Sequence, residues 1–311
     1  MNIFISTFEA VAMLLLIGVI GFWLLSRKMV PENFFSLLSP LALEIALPSL
    51  VFVNIITNFD PLSKPDWWKL PLWWLFFIAV AFIITVIGMI VSNKNSRREF
   101  GLALFYQNGI FFPLAIIMGV YGVNSEYTVD LFFFIMFYAT FFFNTYFFFF
   151  RKENVRIKWR KIFHPVFIMT VLAIIIKLIG VETYIPSFIV SALRMIGNMT
   201  IPLLMLILGG NMLVDFRKMG KICISEILKF ILFKNIIMPI IILLIILKIR
   251  PSFNIALILI LEASVPPVTA VPIVTEREGG NRALVNQFMI VSFLFSLVSI
   301  PFMLFLFSKL Y

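Results

Sequence analysis

Ten continuous apolar runs, most of them about 20 residues long, follow one another along this chain with short polar connections. Such a run crosses the hydrocarbon of a bilayer as a helix, because only a helix or a closed barrel satisfies its backbone there. The runs are continuous rather than alternating, which sets aside the outer-membrane barrel pattern. The expected spans are 5–26, 33–57, 69–92, 100–121, 127–150, 164–181, 186–213, 224–248, 253–275 and 284–308. Composition agrees, with 62% hydrophobic and 13% charged residues, about half the charged share of a soluble domain. The first span carries Glu9 and has no basic residue before it. It lacks the charged start of a signal peptide and is read as a helix of the mature chain.

Orientation follows from lysine and arginine. One side of the expected topology holds Arg27, Lys28, Lys94, Arg97, Arg98, Arg151, Lys152, Arg156, Lys158, Arg160, Lys161, Arg217, Lys218, Lys221, Arg277 and Arg282, sixteen in all. The other holds six: Lys64, Lys69, Lys177, Lys248, Arg250 and Lys309. The rich side is the expected cytoplasmic face of the cell membrane, which puts both termini outside. The net charge of +10 is then a topology signal aided by anionic membrane lipids, and calls for no nucleic acid. The lone Cys223 forms no disulfide within the chain. Trp67, Trp68, Trp73 and Trp74 read as an interfacial belt, and the run 141–150 reads as lipid-facing phenylalanine surface.

Two of the runs are broken at their middle. One reads Gln107-Asn108-Gly109-Ile110-Phe111-Phe112-Pro113 and the other Glu262-Ala263-Ser264-Val265-Pro266-Pro267. Broken backbone inside a bilayer is tolerated only where protein or a cavity satisfies it. A matched pair of breaks in two halves of a chain is the pointer to a transporter's site. A shift of 154 residues places Pro113 on Pro267 and Pro48 on Pro202. Each half holds five expected spans, and an odd number makes the second half enter from the opposite face. The domain reading is therefore a first repeat over 1–150, a basic linker over 151–163 and an inverted second repeat over 164–311.

The same shift places Asn108 on Glu262 and Glu44 on Asn198. Asn108 and Glu262 lie about nine residues into their spans, or about 14 Å, near the bilayer centre. Ionisable groups at that depth are costly and mark function by default. The expected substrate residues are Asn108, Gly109, Pro113, Ser264, Pro266, Pro267 and Thr269. Glu262, Glu44 and Asn198 are the expected holders of a coupling proton or Na+. Half-helix N-termini suit an anion, and carboxylates with freed carbonyls suit a cation. The plainer alternatives are a structural Glu262–Lys234 ion pair, a local hydrogen bond for Glu44, snorkelling for Arg194 and an interfacial place for His164. Pro48 and Pro202 serve equally well as simple kinks. Metal-ligand spacing, a Walker A loop and a nucleophile elbow are all absent from the sequence, so no cofactor and no enzyme activity are expected.

Leu47-Pro48-Ser49-Leu50-Val51-Phe52, Asn108 with Pro113-Leu114 and Gly119, and Ile201-Pro202-Leu203-Leu204 with Gly209 occur in this order. Glu262 to Pro267, Arg282 and the helix from Ser292 to Pro301 follow. In that order and spacing the chain resembles the auxin efflux carrier family, which includes plant PIN carriers and bacterial permeases for organic acids. The resemblance implies an all-α membrane fold of ten transmembrane helices in two inverted five-helix repeats. It is shared with bile-acid and sodium/proton carriers. Helices 4 and 9 would cross at the substrate site, helices 1, 2, 6 and 7 would form a scaffold, and the rest an elevator-like moving core. It implies that Asn108 and the proline-broken helix ends hold a carboxylate, and that the protein forms a homodimer. Glu262 departs from simple anion uniport. The expectation is a secondary carrier of a small organic anion, coupled to H+ or Na+. Two other readings stay open: uncoupled export of an aromatic or amphipathic acid, and a membrane ligand or lipid sensor that does not transport.

Overall fold

A computed structural model describes residues 3–122, 125–150, 164–217 and 220–311. The basic linker expected at 151–163 lies outside the described residues. Helices follow one another as α1 (Ile3–Ser26), α2 (Phe34–Asn58), α3 (Trp67–Val91), α4 (Arg97–Phe105) and α5 (Phe111–Tyr121). They continue as α6 (Glu126–Phe150), α7 (Pro165–Ile179), α8 (Ser187–Arg217), α9 (Ile224–Ile249), α10 (Phe253–Ser264), α11 (Val271–Arg277) and α12 (Arg282–Leu310). Among the described residues, seven helical runs are long and apolar enough to cross a membrane: α1, α2, α3, α6, α8, α9 and α12. α5, α7 and α10 are shorter apolar helices.

Local chemistry sets the ends. His164 caps α7 by accepting from Val166 N–H through Nδ1, and Pro165 fills the first helical position, where no N–H is needed. Gly180 closes the helix at φ 76°, a left-handed position that glycine reaches without strain. Asn281 caps α12 by accepting from Leu284 N–H.

Two helices widen into a π-helical turn, Leu41–Ala46 in α2 and Leu232–Ile237 in α9. Each runs into a proline, Pro48 or Pro239. A proline donates no N–H and its ring crowds the carbonyl four residues back. The wider turn relieves this: Leu47 N–H reaches back to Ala42 O, and Met238 N–H to Phe233 O. The helices stay unbroken, so these prolines bend rather than interrupt.

Close packing holds α1 to α8. A Cβ on Gly209 would collide with the backbone of Gly18, and one on Gly21 with the carbonyl of Leu206. Small residues let backbones approach where lipid gives no hydrophobic drive between helices. The phenylalanine run folds inward, against the expectation: Phe142, Phe147 and Phe150 are buried and only Phe148 is largely exposed. The reason is an aromatic cluster in which Tyr106 meets Phe141, Phe142 and Phe149. Trp74 is likewise buried, edge-on to Phe141, whereas Trp68 is exposed as a belt residue would be.

Candidate functional site

α4 ends at Phe105 and α10 at Ser264, and the two unwound segments that follow run past each other. Gln107 and Pro267 face each other as an antiparallel bridge. Asn108 N–H donates to Pro266 O at 2.8 Å, and Val268 N–H donates to Tyr106 O at 3.0 Å. Tyr138 Oη donates to Gln107 O. Backbone that would otherwise be orphaned at this depth is thus satisfied by the opposite break. Pro267 sits at the position of the bridge where no N–H is needed, which is why the proline pair fits here. Two helices restart beyond the crossing, α5 at Phe111 and α11 at Val271. Pro113 lies in the first turn of α5 and Pro272 in that of α11, where a missing N–H is harmless.

Two polar side chains are trapped at the crossing. Asn108 is 1% exposed and Glu262 2%. Asn108 Nδ2 and Glu262 Oε1 have no hydrogen-bond partner. The Glu262 carboxylate lies against Gly109, where a Cβ would collide with both its oxygens. Glycine is required there by that close approach. Each unmet buried polar atom costs about 1–3 kcal/mol, so the cluster is polar beyond what packing needs.

Lys234, on the π-helical turn of α9, is fully buried. Its Nζ lies 3.8 Å from Met238 Sδ, and Gln107 Nε2 donates to the same sulfur at 3.5 Å. Glu262 is its electrostatic partner, without a direct ion-pair contact among the described residues. Asn235 and Ser292 pin the turn to α12 through two hydrogen bonds, of 2.8 and 3.3 Å.

A cavity of about 260 Å³ adjoins the crossing. Ile110, Phe111, Val268 and Thr269 from the broken segments form one wall, and Leu47 and Val51 from α2 face them. Its polar fringe is Ser39, Tyr138, His164, Asn211 and Thr269. Asn108 and Glu262 are not in the wall.

The expected site residues thus divide. Asn108, Gly109, Glu262, Pro266 and Pro267 meet at the crossing, and Pro113 and Thr269 lie just beyond it. Ser264 is buried, but its hydroxyl donates to Ile260 O at 2.6 Å within its own helix. Glu44 and Asn198 are exposed. Asn198 lines a separate polar recess with Asn54, Thr57, Asn58 and Arg194, where Arg194 reaches Thr57 Oγ1 at 3.4 Å. Tyr138, Gln107 and Met238 were not singled out from sequence as site residues. Only the buried position of Gln107 beside the break could have signalled it.

The sequence profile described as Membrane transport protein matches residues 6–304. An uncharacterized transporter of Methanocaldococcus jannaschii is 24% identical over 232 residues, covering 72% of this chain and 75% of that protein. With a multi-pass helical body and a match over nearly its whole length, the chain belongs to the Membrane transport protein family, the auxin efflux carrier family.

Proposed function

We propose that this transporter is a secondary carrier that moves a small organic anion, a carboxylate with an apolar body, by alternating access. The observation that carries the reading is the crossing of two broken helices with Asn108 and Glu262 unsatisfied between them. A carboxylate is chemically matched to the free amide N–H of Asn108 and to the positive N-terminal end of α5. The apolar cavity beside the crossing suits a compact hydrocarbon or aromatic body. Glu262 is the coupling group, because a carboxylate at that depth binds a proton or Na+ in exchange for its own desolvation cost. Glu44 and Asn198 are exposed and are weaker candidates for coupling.

The architecture belonging to this reading is ten spans in two inverted repeats, 1–150 and 164–311, with the broken helices as spans 4 and 9. The short helices α4 with α5, and α10 with α11, each make up one interrupted span. In the orientation given by lysine and arginine, the cavity lies toward the cytoplasm, since Ser39, His164 and Asn211 all neighbour basic segments. Both termini are then outside. A homodimer through the scaffold helices and an elevator-like motion of the core complete the picture.

The test is uptake into proteoliposomes of a panel of mono- and dicarboxylates under separate proton and sodium gradients. Saturable flux of an apolar carboxylate, dependent on one gradient and of weaker affinity in Asn108→Ala, is the expected result. Ligand binding without flux across the whole panel would replace the carrier with a sensor. Flux driven by membrane potential alone would make it an uncoupled exporter.

A further inference from the structure

Lys234 is costly to explain by packing. It is 0% exposed, and its ammonium nitrogen has a thioether sulfur at 3.8 Å in place of an oxygen acceptor. A buried charge without a hydrogen-bonded partner costs several kcal/mol, so a lysine retained there needs a compensating charge. Glu262 is the charged group that faces it. Among the described residues, Lys234 is the charge that acts on Glu262 in turn. The remaining titratable groups nearby are Tyr138, which faces Glu262, and Tyr106 behind it. Both are phenols, uncharged near neutral pH. Gln107, Asn235 and Ser292 complete the surroundings and do not titrate.

We infer that Lys234 and Glu262 act as one protonatable unit that takes up a single proton with each carboxylate bound at the crossing. The inference rests on the carrier reading above. Charge balance gives the stoichiometry. Without substrate, the pair shares one exchangeable proton between amine and carboxylate and is neutral overall. A bound carboxylate adds one negative charge in a dry site. One proton from water restores neutrality, leaving an ammonium on Lys234, a neutral acid on Glu262 and the substrate anion. Low dielectric penalises any other count. Met238 Sδ meets both Lys234 Nζ and Gln107 Nε2, so one sulfur atom links the lysine to the side chain of a crossover residue. The π-helical turn sets Lys234 on that inner face. With the lysine's charge already available to Glu262, the count closes on a proton without calling on Na+.

The test uses the full chain in proteoliposomes with 2-oxoisocaproate, a carboxylic acid that is ionised near neutral pH and so crosses lipid poorly, and protein-free vesicles as the blank. Wild type should accumulate it under a proton gradient, without sodium and without net charge movement. Lys234→Met should lower that accumulation by about 100-fold, the lower end of the effect of an unpaired buried charge. The double variant Lys234→Met/Glu262→Gln is neutral again. It should recover counterflow exchange by about tenfold over the single variant, with each tenfold equal to about 1.4 kcal/mol. Its flux should follow membrane potential rather than pH. A purely structural lysine predicts no such rescue. Proton-driven accumulation that survives in Lys234→Met, or a wild type that requires sodium, overturns the inference and leaves the carrier reading standing. Wild type that shows no counterflow of any carboxylate removes the carrier reading and this inference with it. If Lys234→Met does not insert stably, the double variant decides alone: retained proton drive there refutes the unit.

Discussion

The buried carboxylates at the ends of the helices and the one at the crossing are built in opposite ways. Asp130 accepts from Lys64 Nζ at 3.1 Å and from Asn254 Nδ2 at 2.8 Å. Glu226 accepts from Ser92 Oγ at 2.6 Å and from Lys229 Nζ at 2.7 Å. Asp215 takes Arg282 Nη2 at 2.8 Å, while its backbone carbonyl takes Asn286 Nδ2 at 3.1 Å. Each has a cation in direct contact. Glu262 has its cation, Lys234, held off and one oxygen unmet. Glu99 stands between the two cases, with one oxygen accepting from Asn281 N–H at 2.8 Å and the other unmet. A satisfied buried network rigidifies, and an unsatisfied buried group calls for an explanation. Asp130, Glu226 and Asp215 tie helices together, whereas Glu262 keeps an acceptor oxygen unused.

That separation breaks or stands on variants that dissociate stability from transport. The largest effect is expected for Glu262→Gln. Gradient-driven accumulation should fall by about 100-fold while counterflow persists, because the acid can no longer exchange a proton. Equal gradient dependence in parent and variant would remove Glu262 from coupling. Next is Asn108→Ala, which removes the donor proposed to bind the carboxylate, a bond worth about 1.5–3 kcal/mol, so apparent affinity should drop about 10- to 100-fold. Its melting temperature in detergent should hardly move, since the lost amide N–H had no protein partner. Asp130→Ala should do the reverse. It leaves Asn254 without its acceptor and Lys64 with Glu126 alone, at 2.9 Å, and should cost about 2 kcal/mol of stability, allowing for the partly exposed lysine. Transport per folded molecule should stay within about twofold, as for other changes away from a site.

The smallest effect concerns pH. Glu182 lies in the connection after α7, where its own backbone N–H and the Lys177 ammonium hold its carboxyl below the usual carboxylate range. A depressed value stabilises the fold above the ordinary carboxylate pKa, and the benefit is lost as pH falls through the folded value. Glu182→Gln should therefore flatten a slight acid destabilisation in thermal unfolding, and an unchanged acid limb would show that the pair is inert.

Much of this was legible because proline, glycine and long apolar runs are strong punctuation. The breaks at Asn108–Pro113 and at Val265–Pro267 are visible in the sequence as places where no helix continues. Their mutual pairing was not, because a two-residue antiparallel bridge has no sequence period. The shift that aligned Asn108 with Glu262 also aligned Glu44 with Asn198, yet the latter two lie exposed. A repeat register assigns equivalent positions along helices and leaves open which face meets a neighbour. Tyr138 carried no signal, since a tyrosine in an aromatic run looks like membrane surface. Lys234 was visible as a charge in an apolar run, but its isolation from any oxygen emerges only from the packing around Met238.

The most direct test is counterflow of labelled 2-oxoisocaproate in proteoliposomes containing wild type, Asn108→Ala or Asp130→Ala. Saturable exchange is expected in wild type and Asp130→Ala, and in Asn108→Ala an apparent affinity about 10- to 100-fold weaker despite an unchanged melting temperature. Exchange of equal affinity in wild type and Asn108→Ala would contradict the assignment of the crossing as the transport site.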